Sequence, residues 1–308
     1  MRIAVTGCSG FVGSRLLSRL KKCYVVAIGR SEVKRADSFF ERSLSSQTDY
    51  SKCLRGLDCV VHTAARVHVM QDQVDDPLSE YRKINVEGTL NLARQAAAAG
   101  IKRFVFVSSI KVNGEQTQLG CPFVSEDTPA PEDAYGISKY EAESGLQKIA
   151  AETGMEVVII RPPLVYGPGV KGNFASMTKL IMKGLPLPLG AIHNQRSLVA
   201  VDNLVDLIFT CIDHPAAANQ IFLVSDDESL STSQLLRSVA KAMSVPARLI
   251  PIPSPLLMVT ATLLGKKTIA QRLLGSLQVD ISKTRELLGW TPPLSIEEGL
   301  RRCFEPED

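Results

Sequence analysis

A short apolar run, Arg2-Ile-Ala-Val-Thr6, breaks directly into Gly7-Cys-Ser-Gly10-Phe-Val-Gly13, after which Val12, Leu16 and Leu20 recur at helical spacing. Strand, glycine turn and helix in that order leave this chain few folds to choose from. The first glycine allows a tight turn, the second lets backbone approach a pyrophosphate, and the third lets the helix pack close. Amides at the helix N-terminus then face the phosphates. Such a pattern elsewhere in a chain is often only a structural turn; at residue 7 of a strand–helix series it predicts a dinucleotide cradle.

Nearly continuous apolar runs at 24–28, 58–62 and 104–107 predict further strands buried on both faces, hence a parallel sheet. A long helix is expected over 77–99, with Leu90, Ala93 and Ala97 at helical spacing and Gly100 as its C-terminal stop. Another is expected over 134–152, followed by a strand at 156–160. The alternation predicts an α/β fold, a doubly wound parallel sheet, over residues 1–165. Beyond Arg161-Pro-Pro, prolines and glycines cluster, so residues 166–308 are expected to form a smaller α/β substrate domain with some segments returning to the first.

Composition narrows the partners. The 308 residues are 45% hydrophobic and 22% charged, ordinary for a folded protein, and 35 Lys plus Arg against 32 Asp plus Glu form no basic tract. Nucleic acid is therefore not an expected partner. Seven cysteines without a C-x-x-C pair predict neither a disulfide framework nor a metal site, so they read as reduced thiols. The first residues lack a signal-peptide pattern, and the apolar stretch 256–264 is far shorter than the ~20 residues that span a bilayer. A cytoplasmic protein without membrane insertion is expected.

At the end of the second strand, where a carboxylate would bind an unphosphorylated ribose, stands Gly29-Arg30-Ser31. Arg30 and Ser31 can hold a 2′-phosphate, which favours NADP and leaves NAD open; the plain alternative for Arg30 is a solvated side chain. Tyr135 and Lys139 lie one helical turn apart. A phenol is a poor proton carrier near neutrality, and a fixed cation nearby favours its ionised form. Ser108 and Ser109 end the strand upstream of this pair, where one hydroxyl can polarise a carbonyl and the other bond locally.

With these blocks the chain resembles the extended short-chain dehydrogenase/reductase family over essentially its whole length, in particular nucleotide-sugar epimerases, dehydratases and 4-keto reductases. The likeness rests on the glycine turn, His62-Thr-Ala-Ala65, Asn85-Val-Glu-Gly-Thr89, Phe106-Val-Ser-Ser109, Tyr135-Gly-Ile-Ser-Lys139, Arg161-Pro-Pro-Leu-Val-Tyr-Gly-Pro168, Arg196-Ser-Leu-Val-Ala-Val-Asp202 and the block from Asp280 to Trp290. It implies a Rossmann-type sheet with a catalytic set of Ser109, Tyr135 and Lys139. Cofactor contacts are implied for Gly7, Gly10, Phe11, Val12, Gly13, Arg30, Ser31, Leu44, Ala64, Ala65, Asn85, Lys139 and Pro162. Substrate contacts are implied for Asn173, Leu187, Arg196 and Arg272, with a salt bridge as the alternative for Arg196; Lys111, at a departure from the family pattern, is a further substrate candidate, with a solvated lysine as its alternative. A homodimer paired through the helices carrying Leu90 and Tyr140 is implied as well.

Departures from the family pattern steer the substrate. Leu164 replaces the usual Asn of Arg-x-x-Asn, and Ser109 is followed by Ile-Lys-Val-Asn-Gly, which puts Lys111 near the sugar. That run, with Gly172-Asn-Phe174 and Leu185-Pro-Leu-Pro-Leu-Gly190, looks most like bacterial reductases of UDP-4-keto-6-deoxy-N-acetylhexosamines that feed surface-polysaccharide synthesis. The expectation is therefore an NAD(P)-dependent oxidoreductase acting at C4 of a UDP-sugar. A 4-epimerase with retained NAD is the alternative, and a non-catalytic NADP-binding regulator a third.

Overall fold

The computed structural model describes residues 1–67, 76–170 and 172–305, except the side chain of Asn173. Strand β1 (Arg2–Thr6) leads through the glycine turn into α1 (Phe11–Arg19), then β2 (Tyr24–Gly29), β3 (Ser38–Glu41), α2 (Ser51–Leu54) and β4 (Cys59–His62). The helix expected over 77–99 is three joined segments. These are α3 (Pro77–Tyr81), a π-helical stretch (Arg82–Gly88) and α4 (Thr89–Ala98). Then come β5 (Arg103–Val107), α5 (Ala134–Thr153) and β6 (Glu156–Arg161). The remainder is β7 (Leu164–Tyr166), α6 (Asn173–Met182), β8 (Arg196–Ala200), α7 (Val201–Asp213), β9 (Ile221–Leu223), β10 (Ser229–Leu230), α8 (Thr232–Ala242), α9 (Ser254–Leu263), α10 (Lys267–Leu274), α11 (Ser282–Leu288) and α12 (Ile296–Arg302).

Seven strands form one parallel sheet in the order β3-β2-β1-β4-β5-β6-β9. Alternate residues of each strand serve opposite faces: Ile3 and Val5 join α1 and α7 in one core, while Ala4, Val60 and Phe104 meet α4 and α5 in the other. This is the doubly wound α/β architecture. The short edge strand β3 was not anticipated, and both α7 and β9, which lie beyond residue 166, build onto this larger body. A second sheet, β10-β8-β7, carries its own core of Tyr166, Phe174, Leu198, Leu236 and Leu300. No helix among the described residues is long and apolar enough to cross a membrane.

A Cβ on Gly88 would lie 2.7 Å from Leu44 Cγ, so the loop after β3 can press against the helix only at a glycine. Within the π-helical stretch, Asn85 turns inward, accepting from the Arg66 amide at 2.8 Å and donating to the Arg66 carbonyl and Ser138 Oγ, both at 3.0 Å. Asn85 thus ties the chain after β4 to α5.

Candidate active site

Strand order turns outward in both directions from β1 and β4, whose carboxyl ends lie side by side with Thr6 opposite His62. Such switch points are where open parallel sheets hold ligands. A cleft of about 500 Å³ opens there. Its floor is the glycine turn, where Gly7 has φ +75° and an added Cβ would meet Thr63 Oγ1 at 2.6 Å and the Ala64 amide at 2.7 Å. On Gly13 a Cβ would come within 2.1 Å of the Gly7 carbonyl. Neither position accepts a side chain.

Gly10 is the N-cap of α1, no side chain caps the helix, and its first turn holds no acid. Phe11 and Val12 therefore present first-turn amides at the cleft wall, an arrangement that fits a pyrophosphate. Ala64 and Ala65 keep the opposite wall low, while Leu44 and Pro162 close the sides. At the β2–β3 edge the lining residues are Arg30, Ser31 and Arg42, and among the described residues no Asp or Glu lines the cleft. Arg42 was missed in the sequence because β3, which presents it, was missed. Its guanidinium donates to the carbonyls of Asp49 at 3.0 Å and Glu41 at 2.8 Å. These features together fit a nicotinamide dinucleotide.

The far wall holds the residues expected to form the catalytic set. Asp133 caps α5 by accepting from the Gly136 amide at 2.7 Å, which places Tyr135 in the first turn, on the cleft, with Tyr81 edge-on 6.0 Å away. Ser109 stands opposite β6 in extended backbone and also lines the cleft. Its neighbour Ser108 is buried and donates to Glu143. Glu143 in turn grips Arg161 Nη2 at 2.6 Å, and Arg161 Nη1 donates to Asn113 Oδ1 at 2.9 Å. All four side chains are buried. The network was not read from the sequence, although Glu143 lies one turn beyond Lys139.

Lys139 is 1% exposed and lies behind the wall, its Nζ donating to the Val107 carbonyl at 2.8 Å and sitting 3.8 Å from the Phe106 ring centre. Burial lowers its pKa to about 7, against an opposing pull from Glu143. Tyr135 moves the other way: burial, then Asp133 and Tyr81, push its phenol above the usual range. The expected lowering of Tyr135 by Lys139 is therefore absent in this state, because the ammonium is turned to backbone and ring. His62 bridges Thr6 Oγ1 at 2.6 Å and Thr89 Oγ1 at 2.9 Å. Burial and then Lys139 drop its pKa to about 3, so it is neutral.

The expected substrate residues are placed differently. Lys111 does not line the cleft; its ammonium pairs with Asp133 and with Glu115 at 2.9 Å, bracing the Ser109 loop against the α5 cap. Arg196 donates from Nη1 to the carbonyls of Arg272 and Gly275, each at 3.0 Å, so backbone carbonyls take the place of the expected carboxylate alternative. Arg272 is exposed on α10, and Leu187 is bridged to Leu249. None of these lines the cleft, and the side chain of Asn173 lies outside the described residues.

A model of the NAD dependent epimerase/dehydratase family matches residues 3–225. The chain belongs to that family. Among curated family relatives, a UDP-glucose 4-epimerase of Vibrio cholerae is 51% identical, with 98% of this chain and 94% of that one covered. Two solved structures share the fold. The UDP-glucose 4-epimerase of Thermotoga maritima with UDP-glucose has a TM-score of 0.78 at 24% identity, covering 98% of this chain and 97% of that one. The UDP-glucuronic acid 4-epimerase of Bacillus cereus in complex with NAD has a TM-score of 0.79 at 21% identity, with the same two coverages. The relative at 51% identity favours the epimerase alternative over the 4-keto reductase expected from the Val107–Glu115 run.

Proposed function

We propose that this epimerase/dehydratase-family protein inverts C4 of a UDP-hexose, using a nicotinamide dinucleotide that it retains between turnovers. The observation that carries the reading is the full-length likeness to a UDP-glucose 4-epimerase, and the chemistry of the cleft agrees with it. A nicotinamide dinucleotide bound in the cleft would supply the hydride acceptor and donor for C4, on one face of the sugar and then on the other. Tyr135 accepts the proton of the C4 hydroxyl and gives it back to the same oxygen. Ser109 hydrogen-bonds that oxygen and holds it toward Tyr135. Lys139, whose pKa burial lowers to about 7, would hold the ribose of the dinucleotide and set its charge beside the phenol.

Arg30, Ser31 and the lack of a lining carboxylate support NADP in this role, whereas the family description and the B. cereus structure name NAD. A homodimer through the helices that carry Leu90 and Tyr140 belongs to the same proposal. The purified protein should convert UDP-glucose to UDP-galactose, or interconvert their N-acetyl forms, with no net change at 340 nm. Stoichiometric loss of NADPH on a UDP-4-keto-6-deoxy-N-acetylhexosamine, with no C4 interconversion, would restore the reductase.

A further inference from the structure

α9 is apolar on every side, and from Ser254 to Leu264 it carries no charge, yet none of its residues is buried. A helix apolar all round belongs in a core or in lipid. Here Leu256, Val259, Leu263 and Leu264 are exposed at 55, 56, 81 and 72%. Ile250 just before the helix and Ile269 on α10 widen the patch. Patches of this kind mark a surface that something covers.

The charge around the patch says what covers it. Residues 164–201 and 229–279 hold ten Lys or Arg and no Asp or Glu, in a chain whose totals are 35 and 32. These two stretches share a core of Phe174, Ile181, Leu235 and Leu236 and the Leu187–Leu249 and Ala191–Pro253 bridges; the acids of that body, Glu297 and Glu298, lie on α12, where Glu297 pairs with Lys241. Lys266 and Lys267 stand exposed at the foot of α9, and Lys183 and Arg248 are exposed on the same body. We propose that α9, with Lys266 and Lys267 at its foot, docks this protein on the surface of an anionic phospholipid bilayer.

The helix is built for that setting. Its threonine hydroxyls are satisfied internally: Thr260 donates to the Leu256 and Leu257 carbonyls at 3.0 Å each, and Thr262 to the Met258 carbonyl at 2.8 Å. Pro253 and Pro255 remove amide donors at its start. Polar groups entering hydrocarbon need such internal partners. Ten residues at a rise of about 1.5 Å span about 15 Å, half the hydrocarbon core of roughly 30 Å, so α9 lies in the interface and does not cross it. Lysines at its end meet lipid phosphates. Since α10 ends in the Arg272 and Gly275 carbonyls that hold Arg196, docking sets the β8 end of the molecule beside the bilayer. The inference does not depend on which sugar the cleft takes.

Flotation of the full chain with vesicles tests it. Wild type should rise with phosphatidylglycerol–phosphatidylethanolamine vesicles at low salt, and stay down with phosphatidylcholine vesicles or in high salt. Lys266→Glu with Lys267→Glu should weaken binding about fivefold or more per lysine. Leu263→Asp with Leu264→Asp should weaken it roughly tenfold or more. Molar mass by light scattering, thermal midpoint and UDP-glucose turnover in solution should stay unchanged in both variants. Wild type that ignores anionic vesicles overturns the proposal. Binding that both variants leave intact overturns it too, as does a fall in molar mass in the Asp variant, which would assign the patch to a second copy.

Discussion

Tyr135 and Lys139 are one turn apart on α5, yet one lines the cleft and the other is sealed behind it. Their spacing was legible in the sequence; their opposite pKa shifts were not, since both come from burial that only the packed sheet supplies. Tyr135→Phe should lower kcat by about 10²- to 10⁴-fold while UDP-sugar affinity, measured by calorimetry, stays near wild type. Retained turnover in that variant would remove Tyr135 from its role. At the other end of the cleft, Arg30→Ala should weaken NADP by about 1.5–3 kcal/mol in a fluorescence titration and leave NAD little changed. Equal losses for the two cofactors would show that Arg30 does not meet a 2′-phosphate. The roles expected of Lys111 and Arg196 were illegible, because a sequence shows a charge and not the partner that holds it; here the partners are Asp133 with Glu115, and two backbone carbonyls.

At the scale of elements, the glycine turn, the central strands and α5 were readable because each carries its own signature: continuous apolar runs, a turn that excludes Cβ, and an Asp133 cap. Edge strand β3 carries none, being three half-buried residues and the exposed Glu41 after a charged loop. The break of one expected helix into α3, a π-helical stretch and α4 has no signature in the sequence; at its end Gly88 packs against Leu44, from a distant part of the chain. Beneath the wall that carries Tyr135, Glu143 and Arg161 join α5 to β6 as a fully buried ion pair, with Ser108 and Asn113 completing it. Removing one partner leaves a buried charge alone, so Glu143→Ala should cost about 3–5 kcal/mol in denaturant unfolding. Replacing both together with Glu143→Leu and Arg161→Met should cost much less than the sum of the single losses. Additive losses would show that the two charges do not act as a pair.

Over the whole molecule, Arg196 lies in the second sheet, held by backbone carbonyls, while the main sheet, with its switch point at β1 and β4, gathers residues from Thr6 to Leu204 around one cleft. Which way hydride travels there is the central claim. UDP-glucose carrying deuterium at C4 tests it most directly, because an enzyme that retains its dinucleotide returns the same atom to the same carbon. UDP-galactose should form with deuterium still at C4, and none should appear in added free cofactor. Deuterium appearing in the free cofactor pool, or no galactose product at all, would contradict it.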